Sequence, residues 1–271
     1  MSEPAPARGI AEPGAAGAPE LITGLIAGGA GGLFGVGGGI VLIPLLTGWS
    51  KLTQHRAHGT SLAAIGATAI GALATYAAFG NVRWDVALVV GLASTLTARF
   101  GARLANRVSG TGLKRAFAVF LLLVALRLLW RVPEPLQANA LEGPLRWGVL
   151  VTLGALVGLL ASFFGVGGGI LAVPAFTLLF GMSQQMAQGT SLGVILVTAP
   201  VGAYEHSKLG NVAWRRVPWL AAGSLVGAPL AAWLAQWLPH EGLVRAFAGF
   251  LALSAVQTWF RARPRPASQP S

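Results

Sequence analysis

Residues 34–40 read Phe-Gly-Val-Gly-Gly-Gly-Ile, and residues 164–170 read the same. The offset of 130 continues without a gap. Pro44 pairs with Pro174, Gly59-Thr60-Ser61-Leu62 with Gly189-Thr190-Ser191-Leu192, and Asn81-Val82 and Trp84 with Asn211-Val212 and Trp214. Arg115-Ala116-Phe117 pairs with Arg245-Ala246-Phe247, and residues 21–131 set against 151–261 share roughly 40 of about 110 positions. An apolar segment duplicated in this way, and broken by glycine at the same place in each copy, constrains the chain to two pseudosymmetric halves. That organisation is common among membrane transporters.

Composition places these halves in a membrane. The chain is 54% hydrophobic and 10% charged, where a soluble domain carries about a quarter charged residues. No Asp, Glu, Lys or Arg occurs from Gly59 to Val82, nor from Trp147 to Tyr204. The second run holds at least two apolar segments, because one spanning helix needs ~20 residues. The start of the chain, rich in Ala, Pro and Gly, lacks a basic stretch leading directly into an apolar core, so it does not read as a cleaved signal. Cysteine is absent, which excludes disulfides and thiolate metal sites. A net charge of +11 could suggest nucleic acid. In so apolar a chain it reads instead as Lys and Arg that orient helices and touch anionic lipid.

The fold class expected is an all-α polytopic membrane protein. Its domains are an N-terminal tail over 1–20, repeat 1 over 21–131, a linker over 132–149, repeat 2 over 150–261 and a basic tail over 262–271. Each repeat holds four apolar stretches: 21–50, 59–79, 84–106 and 113–131, then 150–180, 189–209, 214–237 and 243–261. The first stretch of each is broken, since glycine costs ~1 kcal/mol in a helix relative to alanine and four of five residues are glycine. Each flank gives only ~20 Å of helix against a ~30 Å hydrocarbon core. The stretch therefore reads as re-entrant or as two short tilted helices, tolerated only against protein or a wet cavity.

The placement of charge bears on this choice. If the broken stretch crosses once, Lys and Arg split 11 to 8 between the two sides. If it returns to the side it came from, the split is 14 to 5, with only Arg83, Arg127, Arg131, Arg146 and Arg245 on the poorer side. The positive-inside rule favours the second arrangement, with inverted repeats and both termini cytoplasmic. Trp130, Trp147, Trp219, Trp237 and Trp259 fall near segment ends, as interfacial anchors do.

The candidate site follows from the break. Gly35, Gly37, Gly38 and Gly39, with Gly165, Gly167, Gly168 and Gly169, expose backbone N–H groups and permit close approach. A half-helix starting near Ile40 or Ile170 points its positive dipole end at the break, which suits an anion. The alternative is that the glycines only allow close helix packing. The motif is not a phosphate-binding loop, because no Lys-Ser or Lys-Thr follows and no strand precedes it. Thr60-Ser61 and Thr190-Ser191 can donate hydroxyls to an oxyanion or cap the helices they open. His58 and Gln188 precede them; both can donate, and only His58 titrates near neutral pH. His55 and His58 have no further ligands clustered with them and make no convincing metal pair. Asn81 and Asn211 read as turn residues.

Two copies of Gly-Val-Gly-Gly-Gly followed by Pro, each with Gly-Thr-Ser-Leu about 20 residues on, resemble the sulfite exporter family TauE/SafE over residues 20–261. The resemblance implies an inner-membrane carrier of sulfite, sulfoacetate or related organosulfonates, with the glycines and Thr-Ser pairs lining its central path. The partners implied are a small anionic substrate and membrane lipid; nucleic acid is excluded, no cofactor or metal is implied, and a homo-oligomer is left open.

Two features are not duplicated. Arg99, Arg103 and Arg107 share a helix face, where the other copy has Pro229, Trp233 and Trp237. They read as snorkelling side chains or as a cytoplasmic funnel for anions. Glu205 and His206 lie toward the end of the sixth stretch, Glu205 as a proton carrier or as a loop residue paired with Lys208. The leading expectation is a secondary transporter with alternating access between the two breaks. Alternatives are an anion pore or a membrane assembly protein without transport. An enzyme is disfavoured by the lack of a nucleophile–base constellation.

Overall fold

The structure is a computed structural model that describes residues 17–107, 111–130 and 143–261. The expected tails, apart from residues 17–20 of the first, and most of the expected linker lie outside those residues. Within them the chain is helical: α1 Ala18–Phe34, α2 Gly39–Gly48, α3 Gln54–Ala78, α4 Trp84–Arg107, α5 Thr111–Trp130, α6 Gly143–Phe164, α7 Gly169–Phe180, α8 Gln184–Lys208, α9 Val217–Trp237 and α10 His240–Arg261. Six of these, α3, α4, α6, α8, α9 and α10, are long and apolar enough to cross a membrane.

The eight expected stretches become ten helices because each first stretch splits at its glycines. Gly35, Gly37 and Gly38 have φ of 67°, 75° and 81°, and Gly165, Gly167 and Gly168 have 66°, 80° and 75°. This is the left-handed region that side chains with a Cβ avoid, so α1 and α6 stop there and α2 and α7 start afresh. After the first break the chain doubles back. Gly38 packs against the Ala27 carbonyl of the preceding helix, and the Ser50 hydroxyl, just past α2, donates to Glu20 Oε1 at 3.3 Å, near the start of α1. Both ends of this hairpin therefore lie together.

Contacts order the remaining ends. Arg216, at the start of α9, pairs with Glu20, so α9 begins at the same end as α1. At the opposite end Arg146, near the start of α6, bonds Asp85 Oδ2 at 2.5 Å near the start of α4. Asn81, past α3, donates to Gln236 Oε1 at 2.6 Å near the end of α9, and the Gln184 N–H that opens α8 donates to His240 Nδ1 at 3.4 Å at the start of α10.

The helices are exchanged between halves. α1 packs along α9 in parallel: a Cβ on Gly24, Gly28 or Gly32 would meet the backbone of Leu220, Ser224 or Ala228 at 2.2, 2.6 and 2.2 Å. The second half repeats this with α6 on α4, where a Cβ on Gly158 would stand 2.0 Å from the Ser94 carbonyl oxygen and one on Gly154 2.6 Å from that of Val90. Glycine at every fourth position lets two backbones touch, which is how helices associate where no hydrophobic drive exists between them. α3 and α8 pack against each other at the centre, and α5 packs on α10. The outer faces carry exposed Leu88, Leu92, Leu96, Leu230, Trp233 and Leu234, an apolar surface suited to lipid.

Candidate functional site

The two breaks cross each other backbone to backbone at the centre of the molecule. A Cβ on Gly39 would stand 2.6 Å from Val166 Cα and 2.9 Å from the Gly165 carbonyl oxygen. One on Gly169 would stand 2.6 Å from Val36 Cα and 2.7 Å from the Gly35 carbonyl oxygen. Gly37 meets Ile195 and Ile65, and Gly167 meets Ile65. Segments 35–39 and 161–170 are buried throughout, so the crossing is closed to solvent.

Each half-helix starts at this crossing without a side-chain cap. The Gly38 carbonyl accepts from the Val41 and Leu42 N–H groups at 3.0 and 2.9 Å, and the Gly168 carbonyl from Leu171 and Ala172 at 3.0 and 3.0 Å. The N–H groups of Gly39 and Ile40, and of Gly169 and Ile170, precede the first donors of these bonds, Val41 and Leu171. Their dipoles give two positive ends, one from each half.

The Gly-Thr-Ser motif divides its labour by residue. Gly59 and Gly189 make room for the turns beyond α8 and α3: a Cβ there would lie 2.3 Å from the Asn211 carbonyl oxygen and 2.1 Å from that of Asn81. Thr60 Oγ1 accepts from the Ala213 N–H at 2.9 Å, and Thr190 Oγ1 accepts from the Arg83 N–H at 3.0 Å while donating to the Met186 carbonyl at 2.6 Å. These hydroxyls are spent on the fold and tie the halves together. Ser61 and Ser191 are fully buried, and neither hydroxyl has a protein partner. Ser191 Oγ lies 2.9 Å from where a Cβ would stand on Gly169, beside the start of α7. The capping alternative is corrected here. α3 and α8 begin upstream, and their caps are Thr53, accepting from Arg56 N–H at 3.4 Å, and Ser183, accepting from Met186 N–H at 3.2 Å. The polar openings Gln54-His55-Arg56 and Gln184-Gln185 are helical, although they carry no apolar signal.

Flanking the crossing, Gly35 packs against Gln188 and Gly165 against His58, with virtual Cβ contacts of 2.5 and 2.7 Å. Gln188 Oε1 lies 2.8 Å from the Tyr76 hydroxyl, which also reaches the Gly32 carbonyl at 3.0 Å, and Gln188 Nε2 has no partner. His58 Nε2 is 3.2 Å from Gln54 Nε2. His206 is fully buried, its Nε2 3.0 Å from the Ser162 carbonyl oxygen.

The other expected residues stand apart. Glu205 pairs with Lys208 at 3.4 Å at the end of α8, and Lys208 also sits over the Tyr204 ring. Arg99 and Arg103 are exposed on α4, away from the buried crossing, with Arg99 over the Phe100 ring. The Arg107 side chain falls outside the described residues. Among the described residues no His, Asp or Glu group forms a metal-binding cluster.

Among the buried polar features that escaped sequence reading, Glu20 and Thr68 stand out. Glu20, assigned there to the tail, is 3% exposed and ion-paired with Arg216, itself 2% exposed. Its signal was an acid at the third position of an apolar helix, bonded back to the Gly17 N–H at 3.2 Å. Thr68, repeated as Thr198, is buried with a free hydroxyl and lies beside Gly31.

The sequence matches the sulfite exporter TauE/SafE family over residues 3–128 and 150–271. Similar curated proteins are a probable membrane transporter of Bacillus subtilis, 30% identical over 78% of this chain and 86% of its own. Another, from Xylella fastidiosa, is 31% identical over 75% of this chain and 79% of its own. A third, from Haemophilus influenzae, is 28% identical over 89% of this chain and 97% of its own. No solved structure matches. The chain is thus a multi-pass membrane transporter protein belonging to the sulfite exporter TauE/SafE family.

Proposed function

We propose that this protein is a secondary transporter that exports small sulfur-containing anions, such as sulfite or organosulfonates, across the inner membrane. Transport proceeds by alternating access around the crossing of the two glycine breaks. The observation that carries this reading is the meeting, in one buried place, of two uncapped half-helix starts and the unpartnered Ser191 hydroxyl, with Ser61, buried and equally unpartnered, at the matching position of α3. A buried polar group without a partner costs about 1–3 kcal/mol, and an oxyanion would supply what Ser61, Ser191 and the helix N–H groups lack. Positive helix ends with no lysine or arginine in either break or half-helix suit an anion that must also leave. The closed crossing favours a carrier over a standing pore, because a pore needs a continuous wet path.

Orientation follows from charge. Lys51, Arg56, Arg99, Arg103, Arg115, Lys208, Arg215 and Arg216 belong to the end where α1 starts; Arg83, Arg127, Arg146 and Arg245 belong to the other. The positive-inside rule then puts the first end in the cytoplasm. Thermal unfolding of the purified protein with sulfite, sulfate, thiosulfate, sulfoacetate and taurine tests the substrate class. A bound anion raises the transition by mass action, and no rise with any of them removes the assignment.

A further inference from the structure

The two flanks of the crossing are built from corresponding residues with different chemistry. On one flank Tyr76, Gln188 and Gly32 meet; at offset 130 the other flank has His206, His58 and Ser162. The first is closed by the neutral Tyr76–Gln188 contact of 2.8 Å. The second substitutes two imidazoles at the same positions of the same helices.

His206 is the sharper of the two. Its Nε2 faces the Ser162 carbonyl oxygen at 3.0 Å. A carbonyl only accepts, so Nε2 carries the hydrogen and the lone pair of the neutral ring sits on Nδ1. That nitrogen is buried and has no partner. The hydroxyl of Ser162, on α6, stands 3.0 Å from where a Cβ would be on Gly202, one turn before His206 on α8, and it too is unpartnered. His206 Cβ lies 2.9 Å from the position of a Cβ on Gly59, one residue from His58, and His58 packs on Gly165 of the second break. The basic nitrogen therefore stands between α3, α6 and α8, on the flank of the crossing nearer the start of α1.

We propose that anion movement is coupled to a proton carried by His206, with His58 completing the same flank, so that the protein is a proton–anion symporter. This rests on the anion-transport reading above and supplies its coupling ion. An imidazolium beside the crossing adds a positive charge in a low-dielectric place and strengthens anion binding. By linkage the anion raises the proton affinity of the imidazole equally, so the two bind and leave together. The proton comes from water on one side and returns to water on the other, and no bond in the substrate changes.

Other charged or titratable groups near this flank are His55 and Arg56 on α3, Glu205 and Lys208 on α8, and Arg215 and Arg216 beyond it. Glu205 is paired with Lys208 and Arg216 with Glu20. α6 brings only Arg146, at its far end, and the second break and α7 bring none.

The test uses liposomes holding the full-length protein and a trapped pH dye, with an inward gradient of labelled sulfoacetate. Both acid groups of this probe stay ionised near neutral pH, so a moving proton belongs to the protein. The wild type is expected to acidify the lumen as sulfoacetate enters, and its affinity for sulfoacetate to rise severalfold from about pH 7.5 to about pH 6.5, across the imidazole range. The double variant His58→Gln/His206→Tyr copies the chemistry of the opposite flank. It is expected to bind sulfoacetate more weakly than the wild type at about pH 6.5, and to show neither acidification nor the pH dependence in whatever entry remains. Sulfoacetate entry by the wild type without acidification overturns the proposal and leaves the transport reading standing. Acidification by the double variant equal to wild type also overturns it. If neither sulfoacetate nor sulfite binds or moves with the wild type, the transport reading falls, and this inference with it. His206→Gln, scored the same way, serves if the double variant does not purify as folded protein, and the wild-type result decides the matter without either.

Discussion

Gly39 and Val166 touch backbone to backbone, a contact that leaves 2.6 Å between the Val166 Cα and any Cβ placed on Gly39. Real Cβ atoms do not approach so closely, and the neighbour is main chain that cannot swing aside. Gly39→Ala should therefore cost about 1–3 kcal/mol in overpacking and shift the two breaks apart. Gly66 on α3 has nothing within 4 Å of its virtual Cβ, and Gly66→Ala should be neutral or slightly stabilising. Thermal unfolding of both purified variants checks the contrast; equal effects would mean that the crossing is not packed as described.

The adjacent residues of the Thr-Ser pair should separate stability from binding. Thr60→Val removes the acceptor for the buried Ala213 N–H and should destabilise by about 1–3 kcal/mol. Ser61→Ala deletes a hydroxyl with no partner and should leave the anion-free protein as stable as wild type, while anion affinity falls about tenfold, the loss of one hydrogen bond to a charged group. Unfolding midpoints with and without sulfite read both effects.

The Glu20–Arg216 pair is buried on both sides. Removing one partner takes away the opposite charge that balances the other, so Glu20→Gln or Arg216→Leu should each destabilise, by up to about 3–5 kcal/mol, whereas Glu20→Leu/Arg216→Leu together should cost much less. A double-mutant cycle on unfolding midpoints measures the coupling. Additive losses would show that the pair does not act as a unit.

The chain lacks cysteine, so single cysteines can report sidedness without background. Lys51→Cys, past α2, should react with a membrane-impermeant maleimide only from the cytoplasmic face, and Gly80→Cys, past α3, only from the opposite face. Labelling of both from one face would contradict the crossing of α3, and labelling of Lys51→Cys only from the opposite face would contradict the return of α2 to the start of α1.

Much of this arrangement could be read in the residues because each signal was local. Four glycines in five positions end a helix wherever they occur, and the 130-residue offset located the second break once the first was seen. Long apolar runs announced most of the helices. The exchange of α1 onto α9 and of α6 onto α4 was hidden, since periodicity says which face is small, as at Gly24, Gly28 and Gly32, and not which helix will meet it. Glu20 was misplaced because an acid ahead of an apolar run looks like solvent-facing tail until Arg216, 196 residues away, is folded onto it. The roles of Thr60 and Ser61 could not be separated from their adjacency alone. Which hydroxyl is consumed depends on the turn after α8, a tertiary contact.

The central claim is that an anion binds at the crossing and is carried across by it. Counterflow of labelled sulfite in proteoliposomes tests it most directly, comparing wild type with Ser61→Ala/Ser191→Ala, a variant expected to fold. The account predicts saturable counterflow by the wild type and an apparent affinity weakened by about tenfold or more in the variant, as hydrogen bonds to a charged group are lost. Absence of sulfite counterflow in the wild type, or counterflow of unchanged affinity in the variant, would contradict it.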